Sequence, residues 1–318
     1  MLQALKEETM DYDLFVSTVK QIVRNKLGEG FDIRIYKVTK NNSLELDSLV
    51  VLKKGENIAP NIYLPPYYEA YLEGADIIDI VDRLCNVCSH CTVPVMDQNF
   101  SYTFEQMKSY IFFRIVSFEK NRKLLADIPH SCYLDLAVTF HCLVRDDAEG
   151  IGTIRVTNEH LKLWQITLEE LLQLAAQNTE RLFPASIKSM EEVLSGFLSE
   201  TAQDASISSI PMELPLFPDS GFTNRPRMYI LTNQKGINGA SCLLYKNVIR
   251  QFANRVHSDL YILPSSIHEI ILIPQEDSMN KETLTKMVED VNSTQVAAEE
   301  VLSDHVYFYS RDTDQIML

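Results

Sequence analysis

The sequence predicts an α+β fold of mixed modules whose sheets are rich in antiparallel strands. Helical segments and short alternating strands come in runs, where a parallel α/β sheet would show strict strand–helix alternation. One segment, YLDLAVTFHCLV, alternates apolar and mostly polar residues with a period of two, as expected of a strand. The last ninety residues follow the ferredoxin-like order β-α-β-β-α-β.

The first module is predicted over residues 1–98, with the order α-β-β-β-α-α. The apolar residues of DYDLFVSTVKQIVRNKL recur at helical spacing, and Gly28 and Gly30 end that helix. FDIRIYKVTK and NNSLELDSLVVLKK form a predicted hairpin, and NIYLP is a third short strand. Two helical segments then lead to the motif CNVCSHC.

The middle module is predicted over residues 99–198. It has a strand near residues 111–118, a short helix, the strand YLDLAVTFHCLV and a return strand, followed by two helices. In YLDLAVTFHCLV one face carries Leu134, Leu136, Val138, Phe140, Cys142 and Val144. This strict alternation predicts a sheet packed strongly on one side. Thr167 and Glu170 have the spacing of a capping box for the second helix.

A linker is predicted over residues 199–225, which are rich in serine and proline and show no regular period. The C-terminal module, residues 226–318, contains the β-α-β-β-α-β segment. About ninety residues suffice for an independent small domain.

Charge and cysteine usage restrict the class of protein. The net charge is −15, and the longest basic run is the pair Lys53–Lys54, so we predict no nucleic-acid partner and no anionic membrane. No apolar run approaches the ~18 residues of a membrane span, and the N-terminus carries no signal-peptide pattern. Six cysteines in 318 residues do not make a secreted disulfide framework. A cytoplasmic protein with reduced thiols is predicted.

The motif CNVCSHC is the first chemical candidate, because Cys85, Cys88, His90 and Cys91 are all good zinc ligands. A structural zinc site usually takes its ligands as two pairs from separate elements, whereas these four lie within seven residues. The cysteines also continue a helical stripe of isoleucines, valine and leucine that begins at Ile77. We therefore predict a core-facing helix without metal, with a metal site or a redox role as alternatives.

The segment NQKGINGAS is the best small-ligand candidate. It joins a predicted strand end to a helix start, where backbone N–H groups can face an anion. The proposed ligand-binding residues are Gly236, Asn238, Gly239 and Ser241. A simple turn, with Asn238 as the N-cap of the helix, is the competing interpretation.

Two further groupings have catalytic residue types but favour turns. LPSSIHEI holds Ser265, Ser266, His268 and Glu269, which are too close in sequence to align as a triad. His141 shares a predicted strand face with Asp135 and Thr139, and the pair Asp146–Asp147 follows. A carboxylate cluster beside His141 is able to bind a metal or to act as acid and base, but two adjacent aspartates are more simply a turn.

Three segments together resemble a known family: YLDLAVTFHCLV, VTNEHLKLWQITLEELLQLAAQNTERLFP and GASCLLYKNVIRQFANRVHSDLYILPSSIHEIILIP. They are similar to an uncharacterised family of clostridial Firmicutes, the domain of unknown function 5688. NNSLELDSLVV and APNIYLPPYYEAYLEG resemble it too, so the similarity spans nearly the whole chain. The resemblance implies a bacterial cytosolic protein, and it supplies no activity and no catalytic residue.

These observations favour a non-catalytic protein that binds another protein or a small ligand. No cofactor is predicted, since no cofactor fingerprint occurs. The alternative is an enzyme, possibly a hydrolase, with a site assembled from residues distant in sequence. A deep pocket with convergent polar groups would favour the enzyme, and a flat apolar patch would favour the binding module.

Overall fold

A computed structural model describes residues 9–55, 59, 61–90, 103–147, 150–201, 227–264, 266–277 and 280–318. The chain divides into two compact units. The first comprises Met1–Lys40 and Leu44–Ser101, and the second comprises Asn41–Ser43 and Tyr102–Leu318.

The described residues of the first unit form three α-helices and one antiparallel sheet of order β1-β2-β3. Its elements are α1 (Tyr12–Leu27), β1 (Phe31–Thr39), β2 (Glu45–Lys53), β3 (Asn61–Tyr63), α2 (Pro65–Leu72) and α3 (Ile77–His90). This confirms the predicted order α-β-β-β-α-α. Asp11 caps α1 by accepting a hydrogen bond from the Leu14 amide, and Gly28 ends the helix at φ 72°, where glycine is favoured.

The core of the first unit lies between the helices and the sheet. Phe15, Val19 and Val23 of α1 are fully buried, as are Leu49 of β2 and Leu84 of α3. These α1 residues are spaced by four, so they lie on one face of the helix, and this face packs into the core.

The second unit begins with a sheet built around β6. The elements are α4 (Phe104–Met107), β4 (Ile111–Ser117), α5 (Arg122–Leu125), β5 (His130–Tyr133), β6 (Leu136–Asp147) and β7 (Gly150–Arg155). β6 pairs with β4 on one side and with β5 and β7 in succession on the other, all antiparallel. The segment YLDLAVTFHCLV was predicted as one strand, but it is interrupted. Leu134 lies between β5 and β6 and has a positive φ of 53°.

The expectation that this sheet packs strongly on one side is wrong. Residues 136–143 of β6 are buried on both faces, and His141 is only 7% exposed. Ala137 packs with Leu125 and Ile128, and Leu143 packs with Phe112 of β4 and with Phe183. The alternation in the sequence reflects the polarity of the side chains, but both faces of β6 pack against residues of other elements.

Helices α6 (Asn158–Trp164) and α7 (Leu168–Leu182) follow the sheet. The predicted capping box of α7 is confirmed: Thr167 accepts a hydrogen bond from the Glu170 amide, and the Glu170 carboxylate accepts one from the Thr167 amide at 2.8 Å. Helix α7 contacts β4, and its buried residues Leu171, Ala175, Asn178 and Thr179 recur at helical spacing.

A second sheet of six strands occupies the C-terminal part, with the order β13-β12-β10-β11-β9-β8. Its elements, with the helices between them, are β8 (Ala185–Ser189), α8 (Met190–Thr201), β9 (Tyr229–Asn233), a 3-10 helix (Gly239–Leu244), α9 (Val248–Val256), β10 (Leu260–Leu263), β11 (Ile270–Pro274), α10 (Lys281–Thr294), β12 (Tyr307–Ser310) and β13 (Gln315–Met317).

The α+β class is confirmed, but the ferredoxin-like order is not. Along the chain, β9 to β12 do follow β-α-β-β-α-β. Across the sheet, the second and third of these strands, β10 and β11, form the central pair. A ferredoxin-like sheet places its first and third strands at the centre.

The module boundaries stay a prediction. The strand pairing of the six-stranded sheet affects where the boundary of the C-terminal module lies. Strand β8, which lies before the predicted linker, pairs along its whole length with β9, which lies after it. Of the linker itself, only residues 199–201, at the end of α8, fall among the described residues. We propose that any independent C-terminal module begins at β8.

No helix in the described part of the chain is both long enough and apolar enough to cross a bilayer.

Candidate functional site

The predicted ligand-binding residues lie between β9 and α9. Asn238 adopts a left-handed conformation, with φ 53°, at the N-terminal boundary of the short 3-10 helix, and its side chain makes no capping hydrogen bond. Asn238 therefore occupies the predicted N-cap position, but its side chain does not cap the helix. The amide of Asn238 donates to Nδ1 of His268 at 3.1 Å, and the amides of Gly236 and Ser241 donate to Asn233 O and Asn238 O.

Because these amides donate within the protein, the turn is not an open nest of N–H groups. Gly239 is buried and packs against the backbone of residues 233 and 268. Ligand binding by Gly236, Asn238, Gly239 and Ser241 stays a prediction, and it now depends on the side chains of Asn238 and Ser241.

Ser241 has a structural partner 126 residues away in sequence. Among the described strands β4 pairs with β6 alone, and on its other side the Ile115 amide donates to Ser241 Oγ at 3.3 Å. Two residues earlier, the Phe113 amide donates to Thr179 Oγ1 at 3.0 Å. Two side chains thus satisfy edge amides that would otherwise be open to another strand.

A cleft of ≈ 260 Å³, including its part open to solvent, lies beside this edge. Asn238 and Ser241 line it together with Arg114 of β4. The remaining lining residues are mostly apolar or aromatic: Phe112, Phe113, Ile151, Thr179, Phe183, Asn233, Ile237 and Tyr245. Apolar walls with a few polar groups are typical of small-molecule sites, but most of this volume is open to solvent and the enclosed space admits about one water molecule.

Arg114 is the charged residue of this cleft. Its side chain is half-buried, but its Nε atom is inaccessible to solvent and has no hydrogen-bond partner. One guanidinium nitrogen donates to Thr153 Oγ1 at 3.1 Å, and the group lies 5.2 Å from the ring centre of Phe112. No carboxylate of the described residues is paired with it.

Burial and a second arginine both act on Arg114. Burial, together with the charge of Arg155, lowers the pKa of Arg114 to about 10. Burial and the same two arginines lower the pKa of His141 well below its usual value. His141 is therefore neutral in the folded state, and its Nε2 lies 3.2 Å from Thr139 Oγ1.

The lowered pKa of His141 predicts a loss of stability in mild acid. Below pH ~6.5 the unfolded chain protonates this histidine and the folded chain does not, so protons favour unfolding. The loss begins near pH 6.5, grows until the folded state also protonates, and reaches about 1.4 kcal/mol between pH 7.5 and 5.5. Urea unfolding at both pH values is the measurement.

His141→Gln removes this linkage, so its stability should fall by about 1.4 kcal/mol less than that of the wild type over the same interval. His257→Asn, which replaces an exposed histidine, controls for the loss of a histidine in general. An identical pH difference in the wild type and His141→Gln would contradict the prediction.

The cysteine motif lies at the C-terminal end of α3, as predicted. Cys85 is buried and Cys88 packs partly against the same core. The side chain of His90 and all of Cys91 lie outside the described residues. Within the described residues, no group of three or more His, Cys, Asp or Glu side chains is placed to hold a metal ion.

Other buried thiols are not poised as nucleophiles. Burial raises the pKa of both Cys142 and Cys242 to about 12, so both are protonated at neutral pH.

Within the described residues, serine, histidine and carboxylate side chains lie close together in two places, but neither group is arranged as a catalytic triad. Ser266 Oγ accepts from the His268 amide at 3.0 Å, while His268 Nε2 faces Glu300 at 3.4 Å. This is the local turn geometry predicted for LPSSIHEI; Ser265 is outside the described residues. A nucleophilic serine would instead donate to the histidine.

The second group contains Asp135, which was predicted to lie on the same strand face as His141. Ser303 Oγ donates to Asp135 Oδ2 at 2.5 Å, and Tyr307 donates to Oδ1 at 2.7 Å. His305 Nδ1 lies 3.2 Å from the same carboxylate. Asp146 pairs with Lys235, and the side chain of Asp147 is outside the described residues. The suggested carboxylate cluster around His141 is therefore not assembled from Asp135 or Asp146.

Sequence reasoning missed Arg114. The signal was available, because Arg114 is the single charged residue of the apolar strand IFFRIVSF. A charge inside such a strand needs a partner or a function.

The sequence matches the model of one protein family, but it matches no individual protein in the other two comparisons. No curated protein and no solved structure matches the chain. The model of the "Family of unknown function (DUF5688)" matches residues 12–311, which is nearly the whole chain. The chain belongs to this family of unknown function.

Proposed function

We propose that the chain is a non-catalytic protein that binds a small ligand in the cleft beside β4. The observation that supports this most directly is Arg114, whose buried Nε has no partner although the side chain lines a cleft. A buried donor without a partner costs ~1–3 kcal/mol, and more when it is charged.

The cleft also supports a small ligand over a protein partner. Its walls are concave and largely apolar, and Asn238 and Ser241 supply polar groups at one side. A protein partner would be favoured by a broad exposed apolar patch.

The competing proposal is an enzyme, possibly a hydrolase. Among the described residues, the two meetings of serine, histidine and carboxylate lack a donor–acceptor series from serine to histidine to acid. The geometry therefore favours binding over serine-based hydrolysis.

We place this protein in the cytoplasm of a bacterium. The buried cysteines Cys142 and Cys242, which form no disulfide, support a reducing compartment. The resemblance to a clostridial family supports the bacterial origin.

Screening of neutral and charged fragments by amide NMR tests the binding proposal. We expect binders to shift the resonances of Asn238 and Ser241. Ile237 lines the cleft and is 40% exposed, so Ile237→Trp should fill the cleft and abolish these shifts.

Leu163→Trp is the matched control, because Leu163 is 73% exposed and is not among the lining residues. It should leave the shifts intact. If no fragment shifts the cleft residues, or if the shifts persist in Ile237→Trp, the proposed function is wrong.

A further inference from the structure

We propose that strand β1 pairs edge to edge with β1 of a second copy of this chain. The three-stranded sheet of the first unit then continues across a two-fold axis into the same sheet of the second copy, as one antiparallel sheet. This interface belongs to the first unit and does not depend on the cleft beside β4.

The backbone groups of β1 alternate between its neighbour β2 and the open edge of the sheet. The pairing of β1 with β2 keeps one register, without a bulge, along the whole strand. Just beyond its two ends, the Lys40 amide donates to Leu44 O, and the Lys54 amide donates to Gly30 O. Such bonds recur at every second residue of an antiparallel ladder. The even-numbered residues of β1 therefore bond to β2, and the odd-numbered residues direct their N–H and C=O groups outward.

The outward-facing backbone groups have no partner among the described residues. They belong to Phe31, Ile33, Ile35, Lys37 and Thr39. With nine residues and no proline, β1 is the longest edge strand of the described sheets. The outer edge of β4, in contrast, is closed by two side-chain hydroxyls. A long open edge is a template for pairing with another strand.

The spacing of these groups selects one register for pairing with a second copy. The outward-facing residues are symmetric about Ile35, so placing Ile35 opposite Ile35 of the second copy bonds every one of them. A centre displaced to either side leaves at least one outward-facing amide unpaired. The strand is therefore complementary to itself over its full length.

The charges of β1 favour the same register. The face turned away from the core carries Asp32, Arg34 and Tyr36, and Arg34 pairs with Asp32 at 2.5 Å and donates to Tyr36 at 3.0 Å. With Ile35 at the centre, Arg34 lies opposite Tyr36 of the second copy, and no two like charges face each other. A centre at Arg34 would set two arginines against each other. This match is a property of the chain itself, so a second copy is the partner that fits.

Sedimentation of the full chain over a concentration series from about 1 to 200 µM measures the association. Edge pairing adds backbone hydrogen bonds without a large apolar interface, so we expect a reversible equilibrium in which the dimer fraction rises with concentration. A protein that remains monomeric at the highest concentration would exclude the second copy as the partner and overturn the proposal.

Variants of Lys37 test the strand edge, because this residue is exposed and its amide faces outward. Lys37→Pro removes an amide that the ladder to β2 does not use, and it should weaken dimerisation by about tenfold or more. Lys37→Thr is the matched control: it removes the charge, keeps the amide and should dimerise like the wild type. Urea unfolding verifies that each variant is folded.

Variants of Tyr36, which is 44% exposed, test the register and leave every amide in place. Tyr36→Arg sets a positive charge opposite Arg34 of the other copy at two symmetric positions, so it should weaken dimerisation by about tenfold. Tyr36→Glu sets a negative charge there and should dimerise at least as strongly as the wild type.

Three results would overturn pairing through β1. The first is wild-type dimerisation in folded Lys37→Pro, and the second is equal dimerisation of Tyr36→Arg and Tyr36→Glu. The third is loss of the dimer in Lys37→Thr, which would assign the association to the charge of Lys37 and not to the strand edge.

Discussion

Phe140→Ala is expected to lower the free energy of unfolding by about 3–5 kcal/mol, the range for deleting a fully buried aromatic ring. Phe140 is completely buried in β6, opposite Phe113 of β4. Both sides of this strand are covered, so the surrounding side chains have little freedom to collapse into the space left by the ring. Urea unfolding of the variant and the wild type measures the loss.

Tyr110→Ala is the matched control, since it removes an aromatic ring that is 49% exposed in the same unit. A surface change of this kind should cost within about 0.5 kcal/mol. If the two variants lose equal stability, β6 does not lie at the centre of the core.

Gly239→Ala is expected to destabilise the protein by about 3 kcal/mol or more, at or above the upper end for overpacking. A Cβ at this position would lie 2.5 Å from His268 O and 2.7 Å from Asn233 N. Both are backbone atoms, so no side-chain rotation relieves the overlap. The 3-10 helix would have to move away from β9 and from the turn that precedes β11.

The measurement is again urea unfolding, with Gly196→Ala as the control. Gly196 lies in α8, where an added Cβ meets nothing within 4 Å, so alanine should stabilise the helix by about 0.5–1 kcal/mol. Wild-type stability in Gly239→Ala would mean that the close approach of the two backbones is not required.

Gly239 also shows what a sequence motif can and cannot reveal. NQKGINGAS indicated a glycine-dependent turn, and the turn is observed. Gly239 is required, however, by its close approach to the backbone at residue 268, in a turn 29 positions further along the chain. A local pattern shows that a side chain is excluded without showing which atoms exclude it.

By itself the sequence determined the α+β class, the α-β-β-β-α-α order of the first unit, the capping box at Thr167 and the helical position of Cys85. These features depend on periodicity and on contacts within four residues, so their signals are local. Only the tertiary structure decided that β6 is buried on both faces, that β8 joins the last sheet, and that Ser241 satisfies an edge amide of β4. It also decided that Arg114 lines the cleft with a buried Nε that has no partner. These features depend on contacts between distant segments, such as the 126 positions separating Ser241 from Ile115, and no local periodicity records them.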